Sequence, residues 1–177
     1  MIQTNSSKKL LEKYKFRNVR AEETEQTAEI EKICFPPNEA CSYEHMAERI
    51  KKAPELFLVA QDRETGKLAG FLNGLATDRE HLTDDFFTDA NVHKSNGKNI
   101  MILGLDVLPE HQNQGLAREL MRQYLEREKK NGRKRVILTC LPDKVNMYEK
   151  FGFQDHGIGK SVWGGEAWHE MSVVLNG

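Results

Sequence analysis

Residues 107–118 read Val-Leu-Pro-Glu-His-Gln-Asn-Gln-Gly-Leu-Ala-Arg, and this stretch decides the fold that the sequence predicts. An apolar run over residues 100–108 stops at Pro109, and Gly115 opens a strongly patterned helix after a short polar turn. The free N–H groups at the start of such a helix carry partial positive charge and suit a phosphate group. Because Gly115 has no Cβ and Ala117 is small, backbone and ligand can approach closely. The pattern therefore predicts a buried strand followed by a diphosphate cradle.

The composition is typical of one globular domain. The chain has 177 residues, of which 38% are hydrophobic and 30% are charged, and a chain of this size can bury a core. Its net charge of −1 gives no indication of a nucleic-acid or membrane partner, and we expect neither. No apolar run reaches the roughly 18 residues that span a bilayer. The first residues lack the apolar core of a signal peptide, so we expect a cytoplasmic protein.

The chain has three cysteines, Cys34, Cys41 and Cys140. Their odd number and the lack of a Cys-x-x-Cys pair argue against a disulfide framework or a structural zinc site, and we expect no metal. Free thiols, buried or half-buried, are the ordinary interpretation. A redox role for Cys34 and Cys41, which are close in sequence, stays open.

The hydrophobic pattern predicts one domain with the element order β-α-α-β-β-β-α-β-α-β-β. Residues 1–13 are polar and are expected to form a fraying tail ahead of a domain over residues 14–177. Strands are predicted near residues 15–20, 56–61, 68–76, 100–108, 135–140, 155–161 and 166–175, and helices at 24–34, 42–52, 116–130 and 144–150. Gly164-Gly165 signals a hairpin turn, and residues 78–98 are predicted to form a long loop, within which a short helix stays open. The fold class is α/β (α+β), a mixed central sheet with helices on both faces.

Two motifs in this order resemble the GCN5-related N-acetyltransferase (GNAT) superfamily. The residues Gln112-x-x-Gly115-x-Ala117 fit its Q/R-x-x-G-x-G/A motif, and residues 148–153, Tyr-Glu-Lys-Phe-Gly-Phe, fit its Y-x-x-x-G-F motif. The resemblance covers roughly residues 15–175. Residues 162–171, Val-Trp-Gly-Gly-Glu-Ala-Trp-His-Glu-Met, are similar to the arylalkylamine (serotonin) N-acetyltransferase branch. Further similarity to that branch lies in residues 54–58, in residues 138–140 with the 147–153 segment, and in Leu141, where many superfamily members carry asparagine.

The resemblance implies that acetyl-CoA is the co-substrate and lies between the strands at residues 100–108 and 135–140. The pantetheine arm would bond the backbone of Leu105, Asp106 and Val107. The diphosphate would accept the amides of the turn, since charge-assisted N–H bonds need no lysine. The implied cofactor residues are Leu105, Asp106, Val107, Gln112, Asn113, Gln114, Gly115, Leu116, Ala117, Arg118 and Tyr148. Arg118 either adds a charge or is a solvated residue of the first helical turn.

The reaction implied is attack of a neutral amine on a thioester, and it needs an acid and a base. Tyr148 is the candidate acid, because a phenol with a pKa of about 10 can donate to a thiolate of pKa about 8.5 when held close. A tyrosine packed at a helix end is the structural alternative. The flanking Phe-Gly-Phe favours the acid.

The base is missing from its usual place. In the arylalkylamine branch two histidines on the fourth strand correspond to Met101 and Leu103, and neither side chain accepts a proton. Either water removes the proton or another group substitutes, with His81, His93 and His169 as candidates. Asp106 is discounted, because regular strand alternation places Met101 and Leu103 on one face and Asp106 on the other.

The acceptor pocket would be framed by residues 35–40, the loop at 78–98 and Thr139. The residues expected to contact substrate are Phe35, Pro36, Met101, Leu103 and Thr139, and the acids available for an ammonium group are Glu39, Asp84 and Asp85. The function expected is acetyl-CoA-dependent N-acetylation of a small arylalkylamine-like primary amine, by a monomer or homodimer. The alternatives are acetylation of a protein N-terminus or lysine, of a polyamine or of an aminoglycoside, and a non-catalytic acyl-CoA-binding regulatory domain.

Overall fold

The computed structural model describes residues 4–176, which form a seven-stranded sheet in the order β1-β2-β3-β4-β5-β7-β6. The strands are β1 Tyr14–Asn18, β2 Phe57–Asp62, β3 Leu68–Thr77, β4 Asn99–Val107, β5 Arg135–Cys140, β6 Gln154–Ile158 and β7 His169–Val174. The helices are α1 Asn5–Lys13, α2 Thr24–Cys34, α3 Tyr43–Lys52, α4 Asp85–Thr88, α5 Leu116–Lys130 and α6 Val145–Lys150. None of the helices within residues 4–176 has the length and apolar character needed to cross a bilayer.

The sheet is mixed, as predicted, and helices cover both of its faces. The pairing of β4 with β5 is parallel, and the other neighbouring strands pair antiparallel. A Cβ built on Gly74 of β3 would lie 3.0 Å from the hydroxyl of Tyr124 on α5, whereas one on Gly104 of β4 would lie 3.4 Å from Glu31 on α2. The predicted fold class is therefore confirmed, with α1 and the short α4 as additions to the predicted order.

The helix α5 is held to the sheet by one apolar stripe. Leu116, Leu120 and Tyr124 recur at every fourth residue and are at most 2% exposed, as expected for side chains on one face of a helix. On the other side, Met46 and Ile50 of α3 belong to a second buried cluster. The stripe fixes the start of α5 against the end of β4, which positions the turn between them.

The prediction of a fraying polar tail at residues 1–13 is wrong for the part of it that the structure describes. Thr4 caps α1 by accepting from the N–H of Ser7, and Leu10 is 7% exposed. The hydroxyl of Ser7 donates to Glu119 of α5 across 3.1 Å. A helix with one buried leucine and one buried serine has too little apolar pattern to be read from sequence. Residues 1–3 lie outside the described residues.

An irregularity in β4 changes which side chains share a face. Asn73 pairs with Gly104 and Gly74 pairs with Ile102, so Leu103 is an extra residue, a β-bulge. Met101 therefore stands opposite Leu75, and Asp106 stands opposite Phe71 four residues earlier on the same partner strand. Since directly opposed residues share a face, Met101 and Asp106 lie on the same face. The argument from alternation that discounted Asp106 is wrong.

The last two strands are shorter than predicted, and their connection is longer. β6 ends at Ile158 and β7 begins at His169, so Gly164-Gly165 lies inside a ten-residue connection and not in a two-residue hairpin turn. Both glycines have positive φ, at 66° and 78°. The predicted long loop at 78–98 holds α4 and a short 3-10 turn over Ala90–Val92.

Candidate active site

A cleft opens where β4 and β5 separate. The two strands pair at three positions, the last of which joins Met101 to Ile137. Beyond that position they diverge, and a cavity of about 610 Å³ lies between them. Its walls come from β4, β5, the turn before α5, α6, the end of α2 and the connection before β7.

The cavity brings together most of the residues that the sequence predicts for the site. The predicted residues that line it are Phe35, Pro36, Glu39, Leu103, Leu105, Val107, Gln112, Asn113, Gly115, Leu116, Ala117, Arg118, Thr139 and Tyr148. Five others do not line it: Met101, Gln114, Asp106, Asp84 and Asp85. Met101 is 0% exposed and packs in the core, so its proposed contact with substrate is wrong. Asp106, also 0% exposed, points to the side of α2 and α3.

The turn before α5 has the conformation that the phosphate interpretation needs. Gly115 caps the helix with a left-handed φ of 87°, and Asn113 has a φ of 62°. The N–H of Glu119 bonds the carbonyl of Gly115, which closes the first turn and leaves the earlier amides without helical partners. The turn residues Asn113 and Gly115 line the cavity together with Leu116, Ala117 and Arg118 of the first helical turn.

Side chains from outside the turn brace it. Lys13 donates to Gln114 across 3.1 Å, which explains why Gln114 does not face the cavity. The hydroxyl of Tyr14 and Nδ1 of His111 are 2.6 Å apart. Gln112 donates to the carbonyl of Val107 at 2.9 Å, so that carbonyl is already engaged by the protein.

Tyr148 lies in the cavity wall opposite β4. Its ring makes edge contacts with Phe151 and Phe153 at centroid distances of 6.0 and 5.9 Å. Burial raises the pKa of Tyr148, and the neighbouring ionisable groups of Cys140 and Asp106 raise it further. The phenol is therefore held in its protonated form, which a proton donor requires.

The far end of the cavity is aromatic, a feature that the sequence reasoning missed. Phe87 and Trp163 stack with centroids 5.1 Å apart, and Trp168 also lines the cavity. The indole N–H of Trp163 donates to the carbonyl of Glu39 at 2.8 Å, and that of Trp168 donates to the carbonyl of Trp163 at 2.8 Å. Both tryptophans lie in the 162–171 segment that carried the branch resemblance, which was the available signal.

The three histidines considered as substitute bases lie away from the cavity lining. His81 pairs with Glu170 at 2.9 Å, and His169 pairs with Asp155 at 3.0 Å. His93 accepts from the backbone of β3 at 3.0 Å, and burial lowers its pKa. None of them is placed to take a proton from a group in the cleft.

Of the three acids considered as partners for an ammonium group, Glu39 lines the cavity. Burial raises the pKa of its carboxyl group. Asp84 accepts from the hydroxyl of Ser161 at 2.6 Å. Asp85 pairs with Arg79 at 2.8 Å. These two hold the loop together and do not face the cleft.

The thiols remain free, and none has the environment of a reactive cysteine. Burial raises the pKa of Cys34 and Cys41 to about 11 and that of Cys140 to about 12. At neutral pH little thiolate forms, so oxidation at these positions is disfavoured. In residues 4–176 no cluster of three metal-ligating side chains of the His, Cys, Asp and Glu type occurs.

The sequence profile described as the acetyltransferase (GNAT) family matches residues 24–153. Among curated proteins, serotonin N-acetyltransferase from Mesocricetus auratus is 33% identical over 113 residues, which is 63% of this chain and 53% of that protein. The match thus spans about half of the length of the relative.

Solved structures share the fold at low sequence identity. The loading GNATL domain of CurA from Lyngbya majuscula superposes with a TM-score of 0.79 at 17% identity, covering 92% of this chain and 98% of that chain. The GphF GNAT-like decarboxylase in complex with isobutyryl-CoA superposes with a TM-score of 0.75 at 17% identity, covering 92% of this chain and 100% of that one. Similarity at this identity establishes the fold.

Proposed function

The chain belongs to the acetyltransferase (GNAT) family, and on that premise we propose that it transfers the acetyl group of acetyl-CoA to a small, arylalkylamine-like primary amine. The observation that carries the proposal is one continuous cleft. At one end is the amide-rich turn before α5, along the middle are Leu105 and Tyr148, and at the other end are Phe87 and Trp163. A diphosphate, a thioester and an aromatic acceptor need those surroundings in that order.

The turn would hold the diphosphate of acetyl-CoA. Its N-terminal amides point outward from α5, and the helix end adds partial positive charge. A Cβ at Gly115 would meet only Leu10 at 3.8 Å, so the left-handed φ of 87°, and not a lack of space, is what favours glycine there. Arg118, which lines the cavity beside the turn, supplies a positive side chain. The pantetheine arm would then follow β4 towards Leu105.

Tyr148 would act on the thioester sulfur. The amine nitrogen attacks the carbonyl carbon, so that a C–N bond forms and the C–S bond breaks. The departing thiolate takes the phenolic proton of Tyr148, and the tyrosinate recovers a proton from the nitrogen of the new amide. The raised pKa of Tyr148 keeps the phenol protonated at neutral pH, so that the proton is present when the thiolate develops.

The aromatic end of the cleft would bind the acceptor body. Phe35, Pro36, Phe87 and Trp163 present apolar faces, and aromatic pairs gain about 0.5–1.5 kcal/mol beyond the area that they bury. This favours an aryl acceptor over a polyamine or an aminoglycoside, which would need several carboxylates or hydrogen-bonding groups instead. The proposed substrate class rests on these side chains.

The test is release of free thiol from acetyl-CoA in the presence of a panel of amines. The panel contains an arylalkylamine, a polyamine, an aminoglycoside and a peptide with a free N-terminus and a lysine. We expect the highest kcat/KM with the arylalkylamine, and the acetylated product is identified by mass spectrometry. Saturable binding of acetyl-CoA without thiol release from any amine would instead favour the non-catalytic acyl-CoA-binding function.

A further inference from the structure

Four polar side chains from four elements meet beneath the bulge of β4. Glu31 comes from α2, Arg49 from α3, Asn73 from β3 and Asp106 from β4, and each is at most 3% exposed. Glu31 and Arg49 also belong to the cavity wall, as does Gly104 of the bulged strand. This buried polar group therefore lies directly behind the wall of the cleft, on its α2 side.

The side chains converge on one point beside Gly104. A Cβ built on that glycine would lie 3.0 Å from Oδ1 of Asp106, 3.3 Å from Nδ2 of Asn73 and 3.4 Å from Oε1 of Glu31. A larger residue would occupy the space in front of these atoms. Gly104 thus leaves the shortest path between the cleft and the carboxyl groups free of a side chain.

The hydrogen-bonding capacity of these side chains is incompletely used. No N–H or hydroxyl group among the described residues donates to either oxygen of Asp106 or to Oε1 of Glu31, and neither polar atom of Asn73 meets a partner there. Oε2 of Glu31 accepts from the backbone N–H of Cys41 at 2.9 Å. Arg49 donates to the carbonyl of Phe87 at 3.0 Å, while its Nε and Nη1 atoms have no partner among the described residues.

Two carboxyl groups in such a site hold one proton between them, because both charges together are too costly when buried. Burial raises the pKa of Asp106 well above its ordinary value. The pKa of Asp106 is raised further by the charge of Glu31, by a hydrogen bond from protonated Asp106 to Glu31, and by the neighbouring thiol group of Cys34. The charge of Arg49 acts in the opposite direction. Asp106 is therefore favoured in its protonated form, and the guanidinium of Arg49 lies beside the two carboxyl groups.

We propose that Glu31 and Asp106 form a carboxyl pair that takes the proton of the incoming ammonium group, which rests on the amine acetylation proposed above. The ammonium N–H bond breaks, its electron pair stays on nitrogen, and the proton joins the pair, which then holds two protons. The neutral amine attacks the thioester, and the extra proton leaves to solvent after turnover. Asn73 and Arg49 are positioning residues that hold the pair.

The placement of this pair distinguishes it from His111 and Tyr148, which also line the cavity. His111 lies at the diphosphate end and is bonded to Tyr14 at 2.6 Å. Tyr148 holds its proton and serves as the acid in the proposed reaction. Glu31 lies one helical turn before Phe35, which would contact the acceptor. The pair is thus on the side from which the amine would enter.

The test compares wild type with Glu31→Gln, using two acceptors of similar shape. One is an arylalkylamine that is charged at neutral pH, and the other is an aromatic amine that is neutral there. Glutamine keeps the bond to the N–H of Cys41 but cannot take a proton. We expect kcat/KM for the charged amine to fall about 10²-fold at pH 7. The acidic limb of the pH profile of kcat/KM should also move to higher pH. The neutral amine should react at a near wild-type rate. Glu29→Gln, an exposed change on the same helix, is the matched control.

Three results would overturn the proposal. They are an unchanged pH profile in Glu31→Gln, an equal loss with both amines, which would mean a structural role only, and a loss of acetyl-CoA binding that explains the whole effect.

Infrared spectroscopy tests the pair without turnover. The wild-type protein should show a protonated carboxyl band at neutral pH that Asp106→Asn removes, and its absence rejects the shared proton. A protein with that band that acetylates no amine contradicts the proposed function instead, and with it the role of the pair as a base.

Discussion

Met101 and Leu103 are two residues apart on β4, yet one is sealed in the core and the other lines the cleft. Met101 is 0% exposed and pairs opposite Leu75, whereas Leu103 is the bulged residue whose side chain reaches the cavity wall. The resemblance to the arylalkylamine branch placed its histidines at both positions. In this chain the two positions are not equivalent.

A histidine at position 103 should therefore work as a base, and one at position 101 should not. Leu103→His places a group with a pKa of about 6.5 in the cleft. We expect the acidic limb of kcat/KM for a charged amine to move towards lower pH. Met101→His puts the same ring in the core, where an unsatisfied polar group costs about 1–3 kcal/mol. Met101→His should lower the urea concentration at the denaturation midpoint and leave the acidic limb of the kcat/KM profile unchanged. Equal pH profiles for both variants would contradict the assignment.

Gly115→Glu should remove the stabilisation that acetyl-CoA gives. The change puts a carboxylate against the diphosphate and a side chain at a left-handed φ. Ligand at 100 times its Kd stabilises a protein by about 2.7 kcal/mol, which a thermal shift measures easily. Gly132→Glu is the control, since it has a φ of 82° with open space around it at the other end of α5. An acetyl-CoA shift that persists in Gly115→Glu would count against the turn as the diphosphate site.

Tyr148→Phe should lower kcat by about 10²-fold or more while acetyl-CoA still binds. The ring contacts with Phe151 and Phe153 remain, and only the proton donor is lost. Tyr124→Phe is the matched control, because its buried hydroxyl donates to the carbonyl of Leu56 and Tyr124 does not line the cavity. It should cost about 1–3 kcal/mol of stability without slowing chemistry. If Tyr148→Phe turns over at the wild-type rate with chemistry rate-limiting, Tyr148 is not the acid.

Trp163→Ala should weaken aromatic acceptors selectively. It removes the ring stacked on Phe87 and the hydrogen bond to Glu39, so KM for an arylalkylamine should rise about tenfold. KM for a small alkylamine should change little. Val162→Ala, a change at a residue that is 66% exposed, controls for disturbance of the connection. A uniform rise for both amine types would argue that Trp163 only supports the loop.

The free energy of unfolding should contain a contribution from Asp106 that decreases with rising pH. Its pKa is raised in the folded state, so the proton is bound more tightly there than in the unfolded chain. The contribution is complete below the ordinary pKa of about 3.9, and it is lost at up to about 1.4 kcal/mol per pH unit until the raised pKa is passed. Urea denaturation of wild type and Asp106→Asn across this range measures it. A difference that is flat with pH would show that Asp106 titrates normally.

The family and most of the fold were predictable because their signals are local. The Gly115 turn, the Tyr148 motif and the strand patterns each depend on a few neighbouring residues, and the predicted family and fold class are confirmed. The assignment of individual site roles remains a prediction. The observed geometry agrees best with the predicted site where the site depends on backbone conformation, as at Gly115.

The missed features depend on contacts between distant segments. Nothing in the sequence around Leu103 marks a bulge, so the faces of Met101 and Asp106 were assigned by simple alternation. The helix at Asn5–Lys13 owes its place to Glu119, which is 112 residues from Ser7 along the chain. The stack of Phe87 on Trp163 likewise joins two loops that no local pattern connects.

The contact between α1 and α5 also sets an order of events during synthesis. The first helix leaves the ribosome long before the residues that it packs against, and a nine-residue helix is marginal in water by itself. Until α5 emerges, Leu10 has no core to enter, so this segment is exposed to chaperones and proteases in the nascent chain. The helix α1 is therefore made before α5 but reaches its native position only after α5 has formed.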